Sequence, residues 1–259
     1  MKKYALFIIL TLLIAVSADA KVVSQAVTYD HEGTVLEGYL AYDDALVGKR
    51  PGVLVVHEWW GLGDFVRERV DKLAGLGYVA FALDMYGEGI FTKDPSRAKE
   101  LSSHLRGKPI MRKRALAGLN VLKNSDRVDV SRIAAVGYCF GGTTVLELAY
   151  SGADLAGVVS FHGGLTAAKT EDYDRIKAKF LILHGAEDNF ISHDQIRAFH
   201  EGMRQSGADW QMIYFGGAVH SFTNPSADKA DMQGIAYDQT ADKRSWNYMT
   251  LFLGEIFSR

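Results

Sequence analysis

The sequence of 259 residues has little cysteine, little proline and no excess of charge of one sign. Its single cysteine, Cys139, cannot form an internal disulfide, so the fold must depend on its apolar core, to which 48% hydrophobic residues contribute. With 29 Lys and Arg against 31 Asp and Glu, the formal charge is −2, and no basic block indicates nucleic-acid binding. The 26 glycines against four prolines are typical of a chain whose strands pass quickly into helices.

The first twenty residues have the pattern of a secretory signal peptide. Two lysines precede an apolar run over residues 4–16, and residues 18–20, Ala-Asp-Ala, supply the small side chains that a signal peptidase requires. The pattern predicts cleavage after Ala20 and a periplasmic or secreted chain, residues 21–259, with no membrane attachment. An uncleaved anchor is the alternative, although the apolar run is short for a membrane span. A lipoprotein anchor would need a cysteine just after that run.

Strand and helix patterns alternate along the remaining chain. β-rich or continuous apolar runs predict strands at residues 22–29, 34–41, 53–56, 78–83, 133–137, 155–161, 180–184 and 210–215. Apolar residues at helical spacing, such as Val66, Val70 and Leu73, predict helices between them. This alternation requires crossover connections, which favour an α/β fold with a mostly parallel twisted sheet and helices on both faces. Because no repeat or linker is present, residues 21–259 are expected to form one domain.

The strand predicted at 133–137 runs directly into a candidate nucleophile. Residues 137–142 read Gly-Tyr-Cys-Phe-Gly-Gly, which is the form of a nucleophile elbow with cysteine in place of serine. An elbow holds its nucleophile at strained dihedral angles, and its glycines avoid collisions with the neighbouring strand and helix. Cys139 would also lie at a helix N-terminus, where partial positive charge favours a thiolate. The alternative interpretation is a buried structural cysteine.

Two later strand ends offer an acid and a base. Asp188 follows one predicted strand and His220 follows the last, so the chain order is nucleophile, acid, histidine, as in the α/β-hydrolase fold. Glu187 and Asp194 are competing acids, but Asp188 has the more suitable distance past its strand. The sequence therefore predicts that Asp188 orients His220 and that His220 activates the thiol.

The loop after the strand at 53–56 is predicted to complete an oxyanion hole. In an α/β-hydrolase this loop and the residue after the nucleophile each donate one backbone N–H, which here come from Trp59 and Phe140. Glu58 is unusual there, because its charge would oppose the developing oxyanion. It either points away, handles a proton, or ties down the loop. His162 belongs to a His-Gly-Gly run that imitates an oxyanion motif but follows the nucleophile instead of preceding it.

These motifs together resemble the dienelactone hydrolase family, from about Val53 to the C-terminal helix. The resemblance implies a Cys139-His220-Asp188 triad and a resting thiol hydrogen-bonded to Glu58 until substrate binds. It implies a hydrolase of the carboxymethylenebutenolidase kind that acts on a small-molecule ester or lactone, with no cofactor and no metal. A non-catalytic binding module on the same fold and a redox-responsive thiol protein are the alternatives from other classes.

The sequence also departs from the best-known members of that family, in which two arginines clamp a substrate carboxylate. Asn224 stands shortly after the His-Ser-Phe run, where no arginine occurs, and only Arg97 or Arg106 could supply the other guanidinium. An amide does not replace a bidentate guanidinium contact. We therefore expect a related ester, lactone or thioester as substrate, with Trp60, Tyr86 and Asn224 as substrate contacts.

Overall fold

The computed structural model describes residues 21–258, so the predicted signal peptide lies outside the described residues. Over that range the chain forms eight strands, β1 (Val22–His31), β2 (Thr34–Asp43), β3 (Arg50–Val56), β4 (Val79–Leu83), β5 (Val128–Tyr138), β6 (Gly157–Phe161), β7 (Lys179–Gly185) and β8 (Trp210–Phe215). The helices over the same range are α1 (Asp64–Gly75), α2 (Pro95–Ser103), α3 (Pro109–Lys123), α4 (Phe140–Tyr150), α5 (His193–Ser206) and α6 (Gln239–Phe257). Every predicted strand is present, and several extend beyond the predicted limits.

The strands form one sheet in the order β1-β2-β4-β3-β5-β6-β7-β8. β1 and β2 are antiparallel to their neighbours, and the pairs from β4 through β8 are parallel. The hairpin between β1 and β2 turns at Glu32 and Gly33, both of which have positive φ, as a tight hairpin turn requires. The predicted mostly parallel sheet of an α/β-hydrolase is thus confirmed.

Two apolar cores cover the two faces of the sheet. Val53 and Val55 of β3 pack with α1 and α6 on one face, whereas Leu54 and Val56 pack with α3, α4 and α5 on the other. All four side chains are fully buried. A continuous apolar run is needed in β3 because a central parallel strand has no face that contacts water.

This arrangement brings the carboxyl ends of β3, β5, β7 and β8 to one edge of the sheet. The residues that follow these four strands carry the predicted oxyanion loop, nucleophile, acid and base, so the topology gathers them at a single place. Within residues 21–258, no helix is both long and apolar enough to cross a membrane.

Candidate active site

Cys139 occupies a strained turn between β5 and α4. Its backbone has φ 54° and ψ −112°, a combination that L residues rarely adopt. A β-carbon on Gly141 would collide with the Val56 carbonyl, and one on Gly137 would collide with the Gly141 carbonyl. The glycines of the elbow are therefore required by backbone contacts on both sides of the cysteine, as the motif predicts.

Cys139, His220 and Asp188 form a continuous chain of polar contacts. His220 Nε2 lies 3.0 Å from Cys139 Sγ, and His220 Nδ1 lies 2.8 Å from Asp188 Oδ2. All three residues are buried. Burial by itself lowers the pKa of His220, but the negative charges of Cys139 and Asp188 raise it to about 10. With these contacts, His220 is placed to take the proton of the Cys139 thiol.

The loop after β7 holds the acid in place with a contact that the sequence did not reveal. The Phe190 N–H donates to Asp188 Oδ1 at 3.0 Å, which leaves Oδ2 for His220. The Phe190 ring stands edge-on to the His220 ring at 5.2 Å and is half exposed. In the sequence, the one sign of this contact is the position of Phe190 two residues after Asp188. Glu187, the competing acid next to Asp188, is exposed.

The two predicted oxyanion amides come from the turn after β3 and from the first residue of α4. Phe140 opens α4, and Trp59 lies in a turn closed by the Gly61 N–H on the Glu58 carbonyl at 3.2 Å. Within the described residues, neither the Trp59 N–H nor the Phe140 N–H donates a hydrogen bond to the protein. The Tyr86 hydroxyl donates to the Trp59 carbonyl at 2.9 Å and so fixes the turn. Both amides are thus available as donors.

Glu58 is bound differently from the sequence expectation. Its carboxylate accepts hydrogen bonds from the Ser221 hydroxyl at 2.9 Å and from the Asn224 amide at 2.6 Å. Burial raises the pKa of Glu58, and these two donors partly offset that rise. The thiol, which the resemblance placed on Glu58, contacts His220 instead. Both donors lie in the loop that carries the base. In this conformation their hydrogen bonds to the Glu58 carboxylate therefore join that loop to the predicted oxyanion loop.

Three other buried histidines surround this site. His57 Nδ1 lies 2.6 Å from the Glu58 carbonyl, and its Nε2 accepts from the Met85 N–H at 3.2 Å, so both ring nitrogens are used. His162 lies at the end of β6 with its ring edge-on to His220 at 5.4 Å, and His184 lies at the end of β7. Burial lowers the pKa of all three. Across residues 21–258, no group of three or more His, Cys, Asp or Glu is arranged to hold a metal ion.

The predicted substrate contacts differ in how free their side chains are. The polar atoms of Tyr86 and Asn224 hydrogen-bond the Trp59 carbonyl and Glu58, so both residues support the site's framework. The half-buried Trp60 ring packs against Trp59 at 4.7 Å.

The two candidate arginines differ in what their guanidinium groups contact. Arg97 pairs with Glu100 on the exposed face of α2, at 2.6 Å. Arg106 is exposed, and its guanidinium lies over the Phe140 ring at 5.3 Å, beside the nucleophile. Arg106 is therefore the better placed of the two to meet a substrate.

The sheet order, the strained elbow and the Cys-His-Asp geometry define a protein of the α/β-hydrolase class with a cysteine at the nucleophile position. The dienelactone hydrolase family model matches residues 36–257, so the chain belongs to that family. It is accordingly a hydrolase that acts on ester or lactone bonds.

Solved structures and a curated relative agree with this assignment. The chain is 41% identical to a structure described as m3DLH, with a TM-score of 0.89 and coverage of 92% of this chain and 99% of that one. It is 39% identical, with a TM-score of 0.88 and the same coverages, to the dienelactone hydrolase-like promiscuous phosphotriesterase P91 from metagenomic libraries. It is 27% identical to the "Putative carboxymethylenebutenolidase" of Aquifex aeolicus, over 77% of this chain and 87% of the relative.

Proposed function

We propose that the protein hydrolyses a neutral ester or lactone through an acyl-Cys139 intermediate. The observation that carries this proposal is the contact of 3.0 Å between Cys139 Sγ and His220 Nε2, continued to Asp188 at 2.8 Å, on a strained elbow. A lone buried cysteine has no need of a positive-φ backbone or of a histidine held by a carboxylate.

In the first half-reaction, the Cys139 thiolate attacks the carbonyl carbon, and the carbonyl oxygen becomes an oxyanion that the Trp59 and Phe140 amides stabilise. The C–O bond to the leaving group then breaks, and the His220 imidazolium donates its proton to the departing alkoxide. In the second, His220 takes a proton from water, which attacks the thioester and releases the acid and the thiolate. Asp188 keeps the imidazole oriented through both steps.

The intermediate is directly testable. Wild-type protein mixed with p-nitrophenyl acetate and quenched in acid should carry one acetyl group on Cys139, detected by intact-mass and peptide mass spectrometry. Cys139→Ala should form no adduct and should lose turnover by roughly 10³-fold or more. Full turnover in Cys139→Ala would refute the acyl-cysteine mechanism.

A matched control is available in Ser160. Its side chain is fully buried at the end of β6, and its hydroxyl has no hydrogen-bond partner within the described structure. Ser160→Ala therefore removes a small buried polar atom near the elbow as Cys139→Ala does, but it should change turnover by less than about twofold. Equal losses in both variants would indicate damage to the elbow rather than loss of a nucleophile.

Neutral phosphotriesters are a second candidate substrate class. The similarity to P91, which is described as a promiscuous phosphotriesterase, and the amide of Asn224 near Glu58 both favour a substrate without charge. In that reaction the thiolate attacks phosphorus, the P–O bond to the leaving group breaks, and His220 protonates the departing oxygen. Diethyl p-nitrophenyl phosphate should release nitrophenolate and leave a diethylphosphoryl group on Cys139. Absence of both products would limit the activity to carboxylic and thio esters.

We also propose that the mature protein is exported, on the basis of the signal pattern in residues 1–20. N-terminal sequencing of protein recovered from the periplasm or medium should begin at Lys21. A chain that begins at Met1 and sediments with membranes would instead support an uncleaved anchor.

A further inference from the structure

His162 occupies an unusual position for a residue without an assigned role. It follows β6, next to the strand that leads to the nucleophile, and its backbone has φ 38°. It is fully buried, and its ring packs edge-on against His220 and Phe222. A non-glycine residue in the left-handed region is strained, so surrounding contacts must hold it there.

Both ring nitrogens of His162 are used, and each joins a different part of the site. The Cys139 N–H donates to His162 Nδ1 at 3.2 Å while also donating to the Phe161 carbonyl at 3.0 Å. His162 Nε2 lies 2.8 Å from Thr223 Oγ1. Because Nδ1 accepts a hydrogen bond, the proton of the neutral ring must be on Nε2, which then donates to the Thr223 hydroxyl. Burial and the neighbouring His220 charge lower the pKa of His162 and so keep this neutral form.

Thr223 in turn is anchored to the framework. It lies three residues after His220 in the same loop, and its carbonyl accepts from the buried Arg69 guanidinium at 2.7 Å. Arg69 also forms an ion pair of 2.7 Å with Asp242 of α6. The chain of contacts therefore runs from the nucleophile's own backbone, through His162, to the base loop and then to α1 and α6.

We propose that His162 is a positioning residue that sets the separation of Cys139 and His220 by joining the elbow backbone to the loop that carries the base. This inference deepens the proposed function, since it assigns a residue that keeps the nucleophile and the base in contact. The Sγ–Nε2 contact links two residues that are 81 positions apart on separate loops. A single contact between the two side chains leaves their separation free to vary, and a displacement of about 1 Å can reduce a rate by about 10²-fold.

Thr223→Val tests the link without altering the triad. Valine keeps the shape of threonine but removes the hydroxyl that accepts from His162, so the link from His162 to the base loop is lost. We expect kcat for p-nitrophenyl acetate to fall at least tenfold with little change in KM, because substrate-binding groups are untouched. The rate of Cys139 alkylation by iodoacetamide at pH 7 should also fall several-fold, because His220 takes the thiol proton less readily across a looser contact.

Thr144→Val is the matched control. Thr144 is also fully buried, lies on α4 close to the elbow, and donates its hydroxyl only to the Phe140 carbonyl within its own helix, at 2.9 Å. It joins no two loops, so the same substitution there should leave kcat and alkylation within about twofold of wild type. Equal losses of kcat and alkylation rate in Thr144→Val and Thr223→Val would overturn the positioning role. So would losses that are fully explained by a lower melting temperature of the variant.

His162→Asn provides a second, independent variant. Asparagine tolerates positive φ and retains an acceptor near the Cys139 N–H, but it is too short to reach Thr223. Since His162→Asn and Thr223→Val break the same link, the double variant should lose no more kcat than the more impaired single variant. Additive losses would show that the two residues act separately.

The alkylation measurement separates this inference from the proposed function. The rate of alkylation by iodoacetamide depends on the Cys139–His220 contact whether or not an acyl intermediate forms. If no acyl-Cys139 is detected but Thr223→Val still slows alkylation, the proposed function fails and the positioning role holds. If the adduct forms and alkylation is unchanged in Thr223→Val, the positioning role fails and the proposed function holds.

Discussion

The Asn224 amide donates a hydrogen bond of 2.6 Å to the buried Glu58 carboxylate, across 166 positions of the chain. This amide stands in the region where the best-known members of the family carry an arginine. The amide gives one carboxylate oxygen a hydrogen-bond donor but does not neutralise the negative charge. Within residues 21–258, Glu58 forms no salt bridge, and burial raises its pKa. A second negative charge brought by a substrate would therefore be poorly compensated here.

The first prediction concerns substrate charge. A p-nitrophenyl ester whose acyl chain ends in a methyl ester should be hydrolysed with a kcat/KM at least about tenfold higher than its free-carboxylate analogue, because a carboxylate that loses water without gaining a cation is penalised. Steady-state kinetics with both esters at pH 7.5 would measure the ratio.

A preference for the anionic ester would point to a nearby cation, and Arg106 is the first candidate. Its guanidinium is next to Phe140, whereas Arg97 is exposed and paired with Glu100. If the anionic ester is preferred and Arg106→Gln abolishes that preference while Arg97→Gln does not, Arg106 clamps the carboxylate. Dienelactones would then return as candidate substrates.

The second prediction concerns the resting thiol. Since Cys139 Sγ contacts His220 and Glu58 is occupied by Ser221 and Asn224, Glu58→Gln should change iodoacetamide alkylation at pH 7 by less than about threefold. Glutamine can accept from Asn224 and donate to Ser221, so the loop connection should survive. Glu187→Gln, an exposed carboxylate beside Asp188, is the control for charge removal alone. A tenfold acceleration confined to Glu58→Gln would show that the thiol rests on Glu58 in solution.

The third prediction is the protonation state of His220. Its pKa, raised to about 10, makes it an imidazolium from neutral pH up to that value. Cys139→Ala removes the charge and the hydrogen bond of the thiolate, while burial continues to disfavour the charged ring, so the pKa of His220 should fall. Imidazole ¹⁵N chemical shifts followed from pH 5 to about pH 10.5 would report both values. An identical titration in the two proteins would show that Cys139 does not raise the pKa of His220.

The fourth prediction compares two glycine substitutions. Gly141→Ala places a β-carbon against the Val56 carbonyl, so we expect it to lower the free energy of unfolding by at least about 2 kcal/mol. Gly254→Ala lies on the exposed side of α6, where a β-carbon meets open space, and should raise stability by up to about 1 kcal/mol. Urea denaturation measures both. A mild effect of Gly141→Ala would mean that the elbow can relax away from β3.

The elements that the sequence predicted well are those with local causes. The continuous apolar run in β3 predicts a strand buried on both faces, and the glycines at 137 and 141 predict a turn that tolerates no β-carbon. The order of Cys139, Asp188 and His220 predicts the triad because parallel strands deliver their carboxyl ends to one edge.

The contacts that the sequence did not predict join distant loops. Glu58 meets Ser221 across 163 positions, and His162 meets Thr223 across 61. No periodicity or motif specifies such pairs, because each depends on how two loops settle above the sheet. Phe190 was missed for the same reason, since its ring reaches His220 only after the acid loop has folded.

The sequence by itself therefore determined the fold class and the elbow, and it singled out the three residues of the proposed triad, because backbone sterics and hydrophobic periodicity act over a few residues. Only the tertiary structure decided which groups these residues touch. It placed the thiol on His220 rather than on Glu58, and it directed the Asn224 amide to Glu58, although the sequence analysis expected Asn224 to contact the substrate. The physical reason is that a buried polar group must be satisfied by whichever donor or acceptor packing brings within about 3 Å, and packing is a property of the whole chain.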